Sequence, residues 1–273
     1  PPEELSRHFS ATLSTLGPRN LDRDSMIRIS AAFGLHSSAL RTEDVSVQLS
    51  MLWAALEAFI PAAADDSKIG VVSEALVPLL SRYYPEKLLK DLSESLRASC
   101  NVAYDQARAK LGNDDPEIFQ LAAIIGINGN EPLRDLLYKA LANNPLLRHR
   151  IFILKDLLES SDSILDMIEA HSLRVTWHLL RIYRNRNLLV HSGRSLPYRN
   201  SLVENLHSYF HALLYSLQES FSISPPPASV DAALLQINMD HCAHLHYLRD
   251  HKKTLTSASN LREFLFGPKM PTV

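Results

Sequence analysis

Within ten residues, Arg184-Asn185-Arg186-Asn187-Leu188-Leu189-Val190-His191-Ser192-Gly193 collects the groups that metal-free cleavage of RNA requires. RNA carries its own nucleophile, the 2′-hydroxyl, so a protein need supply only proton transfer and charge for the developing pentacoordinate phosphorane. Histidine suits the first task because its unperturbed pKa of about 6.5 leaves both protonation states available near neutrality. Arginine suits the second, with a permanent charge and a donor fork matched to phosphate oxygens. His191 is the candidate for proton transfer, and Arg184 and Arg186 compete for the phosphate.

The surroundings reinforce this reading. From Ala170 to Val203 the chain carries six arginines and three histidines and no Asp or Glu. Apolar spacing predicts a long helix from Ile164 to His191, with Gly193 placed to stop it as a C′ residue. At about 100° per residue, one face collects Leu173, Trp177, Leu180, Arg184, Asn187, Leu188 and His191. A second apolar strip, nearly opposite, holds Val175, Leu179, Ile182, Arg186, Leu189 and Val190, and a polar ridge of Arg174, His178, Arg181 and Asn185 lies between. Two apolar faces imply burial on two sides, either in the middle of a bundle or between a bundle and a second subunit. Arginines projecting into such strips call for an anionic partner. Glu57, inside the apolar run Leu56 to Phe59, is one, and a phosphate is the other.

The elements that must hold this helix are helical too. With 273 residues, 46% hydrophobic content, 8 glycines and almost no hairpin dipeptides, the chain reads as a soluble all-α protein. A net charge of -2 argues against a broad electrostatic coat for DNA or an anionic membrane. Cys100 and Cys242 lie in no metal-ligand spacing, which suits a reducing, cytoplasmic compartment. No apolar run has membrane-spanning length, and Pro1-Pro2-Glu3-Glu4 is no signal peptide. The missing initiator Met suggests a fragment of a larger parent chain.

Helices are expected over Glu3–Leu16 and Arg23–Phe33, then from a Thr42 N-cap to Phe59 with Leu49, Leu52, Trp53, Leu56 and Ile60 inward. Others follow over Ser67–Tyr84, Glu86–Leu111, Pro116–Ile125, Pro132–Ala142, Leu146–Glu159, Ser201–Phe221 and, after Pro225-Pro226-Pro227, Val230–Lys252 as the last ordered element. Residues 1–40 read as an N-terminal helical extension, 41–222 as the domain carrying the motif, and 223–273 as a Pro-rich break with a C-terminal helix.

Arg186-Asn187-x-x-x-His191 resembles the Arg-x(4-6)-His signature of HEPN domains, all-helical modules of many RNases in bacterial immunity and toxin systems. Leu52-Trp53-Ala54-Ala55-Leu56-Glu57, Ile182-Tyr183-Arg184-Asn185-Arg186-Asn187, Val190-His191-Ser192-Gly193 and Glu204-Asn205-Leu206-His207-Ser208-Tyr209 are similar to the ApeA-like HEPN branch. The likeness spans about Val45 to Phe221. It implies a HEPN-like helical bundle with additional N- and C-terminal helices. It also implies a metal-independent, cyclic-phosphate-forming endoribonuclease without cofactor, serving as an antiphage-defence or toxin effector. His191 becomes general base or acid, Arg186 the phosphorane stabiliser, and Asn187 the group that orients the imidazole or holds a phosphate oxygen. Arg184 also fits the motif, and it shares the face of His191, whereas Arg186 lies about 140° away on an ideal helix. One side chain must therefore wrap around, or the last turn must unwind.

The family further implies a homodimer or higher homo-oligomer through the motif helix, with RNA as the principal partner. Arg174, Arg181, Arg194 and Arg199 are RNA-guiding candidates, with ordinary surface charge as the alternative. Glu57 reads as an ion-pair partner rather than a catalytic acid. The run His241, Cys242, His244, His246 and His251 has spacings compatible with a metal, but no distant ligand accompanies it, and a polar helix face is the simpler reading. Trp53 and Trp177 read as core. Two other functions compete: a catalytically silent HEPN module for dimerisation or partner binding in a larger defence protein, and a toxin held by a regulatory antitoxin partner.

Overall fold

Helices form wherever the chain keeps apolar residues three and four apart. The computed structural model, which describes residues 21–60, 68–112, 114–192 and 199–268, contains eleven of them and no strand among those residues. They are α1 (Arg23–Arg41), α2 (Val45–Phe59), α3 (Lys68–Arg82), α4 (Tyr84–Leu111), α5 (Glu117–Gly126) and α6 (Glu131–Ala140). After them come α7 (Pro145–Leu157), α8 (Ser161–Ser192), α9 (Arg199–Phe221), α10 (Val230–Asp250) and α11 (Leu261–Phe266). The helix expected over Glu3–Leu16, and Gly193 and Arg194, lie outside the described residues. No described helix is long and apolar enough to cross a membrane.

Local chemistry explains where the structure departs from expectation. Asp44, not Thr42, caps α2, because its carboxylate accepts from the Ser46 and Val47 amides at 2.7 and 3.3 Å. A carboxylate also suits the positive end of the helix dipole better than a hydroxyl does. Thr42 Oγ1 instead accepts from the Asp44 amide. Helix α1 runs past Phe33 to Arg41, and the chain does not end its order at α10, since the short α11 packs Leu261, Phe264 and Leu265 inward.

Two compact units result. One comprises the described residues up to Leu80 together with Leu173–Met239, and the other Ser81–Ser172 with the described residues from Asp240 onward. Long helices α8 and α10 each contribute one end to each unit. These units cut across the sequence boundaries drawn at 40/41 and 222/223. In the first, Ile29, Ala32 and Ala39 of α1 share a core with Trp53, Phe59, Leu179, Ile182, Phe210 and Leu217, so α1 is a core element rather than an extension. Burying each such leucine or phenylalanine stabilises the fold by about 1.5–3 kcal/mol. Arg28 ties the layer together: it donates to the Ala58 and Phe59 carbonyls at the end of α2 and pairs with Asp231 at 2.8 Å. The second core gathers Leu89, Leu92, Tyr104, Ile124, Ile151 and Phe264.

Candidate functional site

Helix α8 owes its length to a run from Ser161 to Ser192 without glycine or proline. Ser160 Oγ accepts from the Ser163 amide at its start. From Leu173 onward, Val175, Leu179 and Ile182 point into the first core at helical spacing. Arg186 and Leu189 continue that stripe half-buried, and Val190 is exposed. Across the helix, Leu173 and Trp177 are 59% and 65% exposed, and Leu180, Arg184 and His191 are exposed as well. The expectation of two-sided burial therefore holds on one side within the chain. Trp177 is not a core residue, and Arg184 lies in solvent rather than in a buried strip. Helical phase identifies two apolar strips but not which of them finds a partner within the same chain.

Arg186 is the more buried arginine of the pair. Its Nη1 donates to Asn187 Oδ1 at 3.1 Å, while its Nε is buried and has no hydrogen-bond partner. A buried donor left unmatched costs about 1–3 kcal/mol. Asn187 thus engages the arginine in the free chain. The helix stays regular through Ser192, so its last turn does not unwind, and the angular separation of about 140° between Arg186 and His191 persists. Arg184 and His191 share the exposed face. Among the described residues, no carboxylate pairs with Arg184, Arg186 or His191. Asn185, by contrast, is buried and turns its amide back to the Arg181 carbonyl at 2.8 Å, a purely local role.

Among the described residues, Glu57 meets no basic partner. It accepts from the Trp53 indole Nε1 at 2.7 Å, which answers the need of both a buried tryptophan N–H and a half-buried carboxylate. The Trp53 ring lies 5.6 Å from that of Tyr183, so the Trp-x-x-Leu-Glu segment of α2 abuts the Tyr-Arg-Asn-Arg-Asn segment of α8. The third segment joins through α9, where Tyr209 Oη and His178 Nδ1 are 2.7 Å apart. Burial pushes the Tyr209 hydroxyl up to about 12 and pulls His178 below its ordinary value, with Arg181 adding to the latter. This pair has no signature in the order of residues, although Tyr209 falls on the apolar stripe of α9. Arg174 and Arg181 are exposed on α8, and Arg199 opens α9 with its side chain outside the described set.

The histidine run of α10 is not a polar face. His241 and His244 are buried, and burial holds His241 down at about 4. His244 Nε2 lies 2.9 Å from the Phe264 carbonyl and donates to it, which fixes its tautomer. His246 is exposed beside Asp250, His251 Nδ1 bonds the Tyr247 carbonyl, and Asp240 pairs with Arg82 at 2.7 Å. These commitments explain why the run does not converge as a set of metal ligands. No protein-family model, curated protein or solved structure matches the chain.

Proposed function

We propose that the chain is a metal-independent endoribonuclease of the HEPN type, acting in bacterial defence or as a toxin. The observation that carries this reading is the end of α8, where Arg184, Arg186 and His191 sit on one helix with no acid to neutralise them among the described residues. His191 takes the proton of the RNA 2′-hydroxyl as its oxygen attacks the adjacent phosphorus, or returns a proton to the departing 5′-oxygen. Arg186, with a donor already stripped of water and unmatched, stabilises the phosphorane, and Asn187 holds its guanidinium. The products are a 2′,3′-cyclic phosphate and a 5′-hydroxyl. The exposed strip of Leu173, Trp177 and Leu180 beside His191 fits a second copy of the chain. That copy supplies a second His191, so base and acid are separate groups.

One observation favours the second reading, a catalytically silent module for dimerisation or partner binding: α8 remains helical to its end, which keeps Arg186 and His191 on different faces. Cleavage of total RNA in the presence of chelator, by the wild-type chain and by Arg184→Ala and Arg186→Ala separately, decides the matter. The nuclease reading expects cleavage that Arg186→Ala removes. Full activity in Arg186→Ala with loss in Arg184→Ala transfers the phosphate to Arg184, and no cleavage by the wild-type chain leaves the silent module.

A further inference from the structure

Three histidines outside the proposed RNA chemistry converge in the first unit. His36 comes from α1, while His207 and His211 sit one turn apart on α9 and leave it from the same face. Each offers one ring nitrogen, and the three nitrogens lie within 4.8 Å of one another. Ring centroids are 5.2 Å apart for His36 and His207, 5.8 Å for His36 and His211, and 6.2 Å for His207 and His211. Three imidazoles around a tetrahedral ion, with nitrogens about 2.0–2.1 Å from it, would place their ring centres about 5.2 Å apart. One pair already has that separation. The others need a closure of about 1 Å or less, within reach of small χ adjustments by two partly exposed side chains.

A second observation singles out the buried member. His36 is 7% exposed, and its Nε2 is buried without a hydrogen-bond partner, an arrangement that a packed histidine normally avoids. Its ring is stacked on Phe210 at 4.4 Å and 8°, so the imidazole is held in place before any ligand arrives. Burial, with neighbouring His207 and His211 adding to it, brings His36 down to about 4. Burial lowers His207 and His211 as well. All three rings are thus biased towards the neutral form, in which one ring nitrogen keeps the lone pair that a metal takes. An all-imidazole set suits borderline first-row cations rather than calcium or magnesium, which prefer oxygen.

We propose that His36, His207 and His211 form a binding site for a divalent transition cation of the zinc class, joining α1 to α9 and leaving a fourth coordination position open. The site is independent of the ribonuclease reading, which needs no metal, and its test does not use RNA. The full chain, prepared without a polyhistidine tag and stripped with chelator, is titrated with zinc by calorimetry and with cobalt(II) by visible absorption. Expected are one zinc per chain, cobalt bands of a four-coordinate site with three nitrogen ligands and solvent in the fourth position, and a melting temperature that rises with zinc concentration. His207→Gln and His211→Gln should each weaken binding by at least about a hundredfold, the upper end of what loss of an outer-shell partner alone costs. His246→Gln on α10 should leave it unchanged. Because His36 also stacks in the core, the decisive variants are the two on α9, checked for folding by circular dichroism. Absence of saturable zinc binding, or unchanged affinity in folded His207→Gln and His211→Gln, overturns the proposal and leaves three packed histidines.

Discussion

Arginines fare differently in the two compact units. In the second, Arg82, Arg97, Arg108, Arg134 and Arg249 each meet a carboxylate at 2.5 to 3.5 Å, while Arg150 donates to Ser95 and Arg148 and Arg262 lie over the Tyr138 and Phe119 rings. The Arg97 fork, with Ser93 and Arg108 nearby, holds Glu117 down at about 2. Arg134 goes further: nearly buried, it donates from Nη1 to the carbonyls of Ile124, Ile125 and Ile127, each at 3.0 Å, and so satisfies the acceptors at the end of α5. In the first unit, Arg28 is paired in the same manner, yet among the described residues Arg184 and Arg186 close α8 without an acid. An arginine that completes a helix end and an arginine without an acid partner differ in what their removal costs. The first is part of the fold, and the second, on the proposed function, serves a ligand.

Paired substitutions probe that contrast most strongly. Arg186→Ala should lower RNA cleavage by about 100- to 1000-fold, the scale seen when one donor to a developing oxyanion is lost, with little change in melting temperature. Arg134→Ala should do the reverse. It takes the guanidinium from the Ile124 and Ile125 carbonyls, while the Ile127 carbonyl keeps the Asn130 amide and Glu131 keeps the Gly129 amide, and should destabilise the fold by about 2–3 kcal/mol in urea unfolding while folded molecules cleave normally. Unfolding of Arg186→Ala, or loss of cleavage in still-folded Arg134→Ala, would erase the distinction.

Acid should act on both units alike. His36 in one and His241 in the other are each held at about 4 by burial, against about 6.5 when unfolded. A histidine lowered in this way leaves stability intact above pH 6.5, and as pH falls towards 4 the unfolded chain takes up the proton first. Each therefore removes up to about 3 kcal/mol across that window. Urea unfolding at pH 7 and pH 4.5 measures the loss, and His36→Phe, which keeps the aromatic stack, should reduce it. A stability that is flat from pH 7 to pH 4.5 would show that neither imidazole is held neutral.

The smallest effect on the fold belongs to the exposed strip. Trp177→Glu should leave the stability within about 0.5 kcal/mol of wild type, as surface substitutions do. In light scattering after gel filtration it should convert a dimer to a monomer. A wild-type chain that is already monomeric would exclude the second copy.

Much of this architecture was legible in the residues. The stripe Leu202, Leu206, Phe210, Leu213, Leu217 announced α9, and the glycine- and proline-free run announced α8, because helical periodicity is a local property. What escaped was decided at a distance or by competition. Trp177 reads as core from its phase alone, yet among the described residues no element of the same chain buries it. Thr42 and Asp44 both satisfy a cap pattern, and helix-dipole chemistry chooses the carboxylate. Glu57 has the setting of half an ion pair, but the indole one turn earlier answers it. The His207–His211 spacing is visible in sequence, but His36 lies far upstream, and only folding brings a third imidazole to the pair. The candidate site followed the same rule: the residues of α8 could be named from sequence, whereas their lack of acid partners could not.

The most direct test is of the chemistry at the end of α8. Wild-type chain and His191→Ala, both folded by circular dichroism, are incubated with RNA in excess chelator, and the new termini are analysed. Metal-free attack by the 2′-hydroxyl predicts fragments ending in 2′,3′-cyclic phosphate and starting with 5′-hydroxyl from the wild-type chain, and intact RNA from His191→Ala. Cleavage that persists in His191→Ala, or stops with chelator, or leaves 5′-phosphate ends, would contradict it.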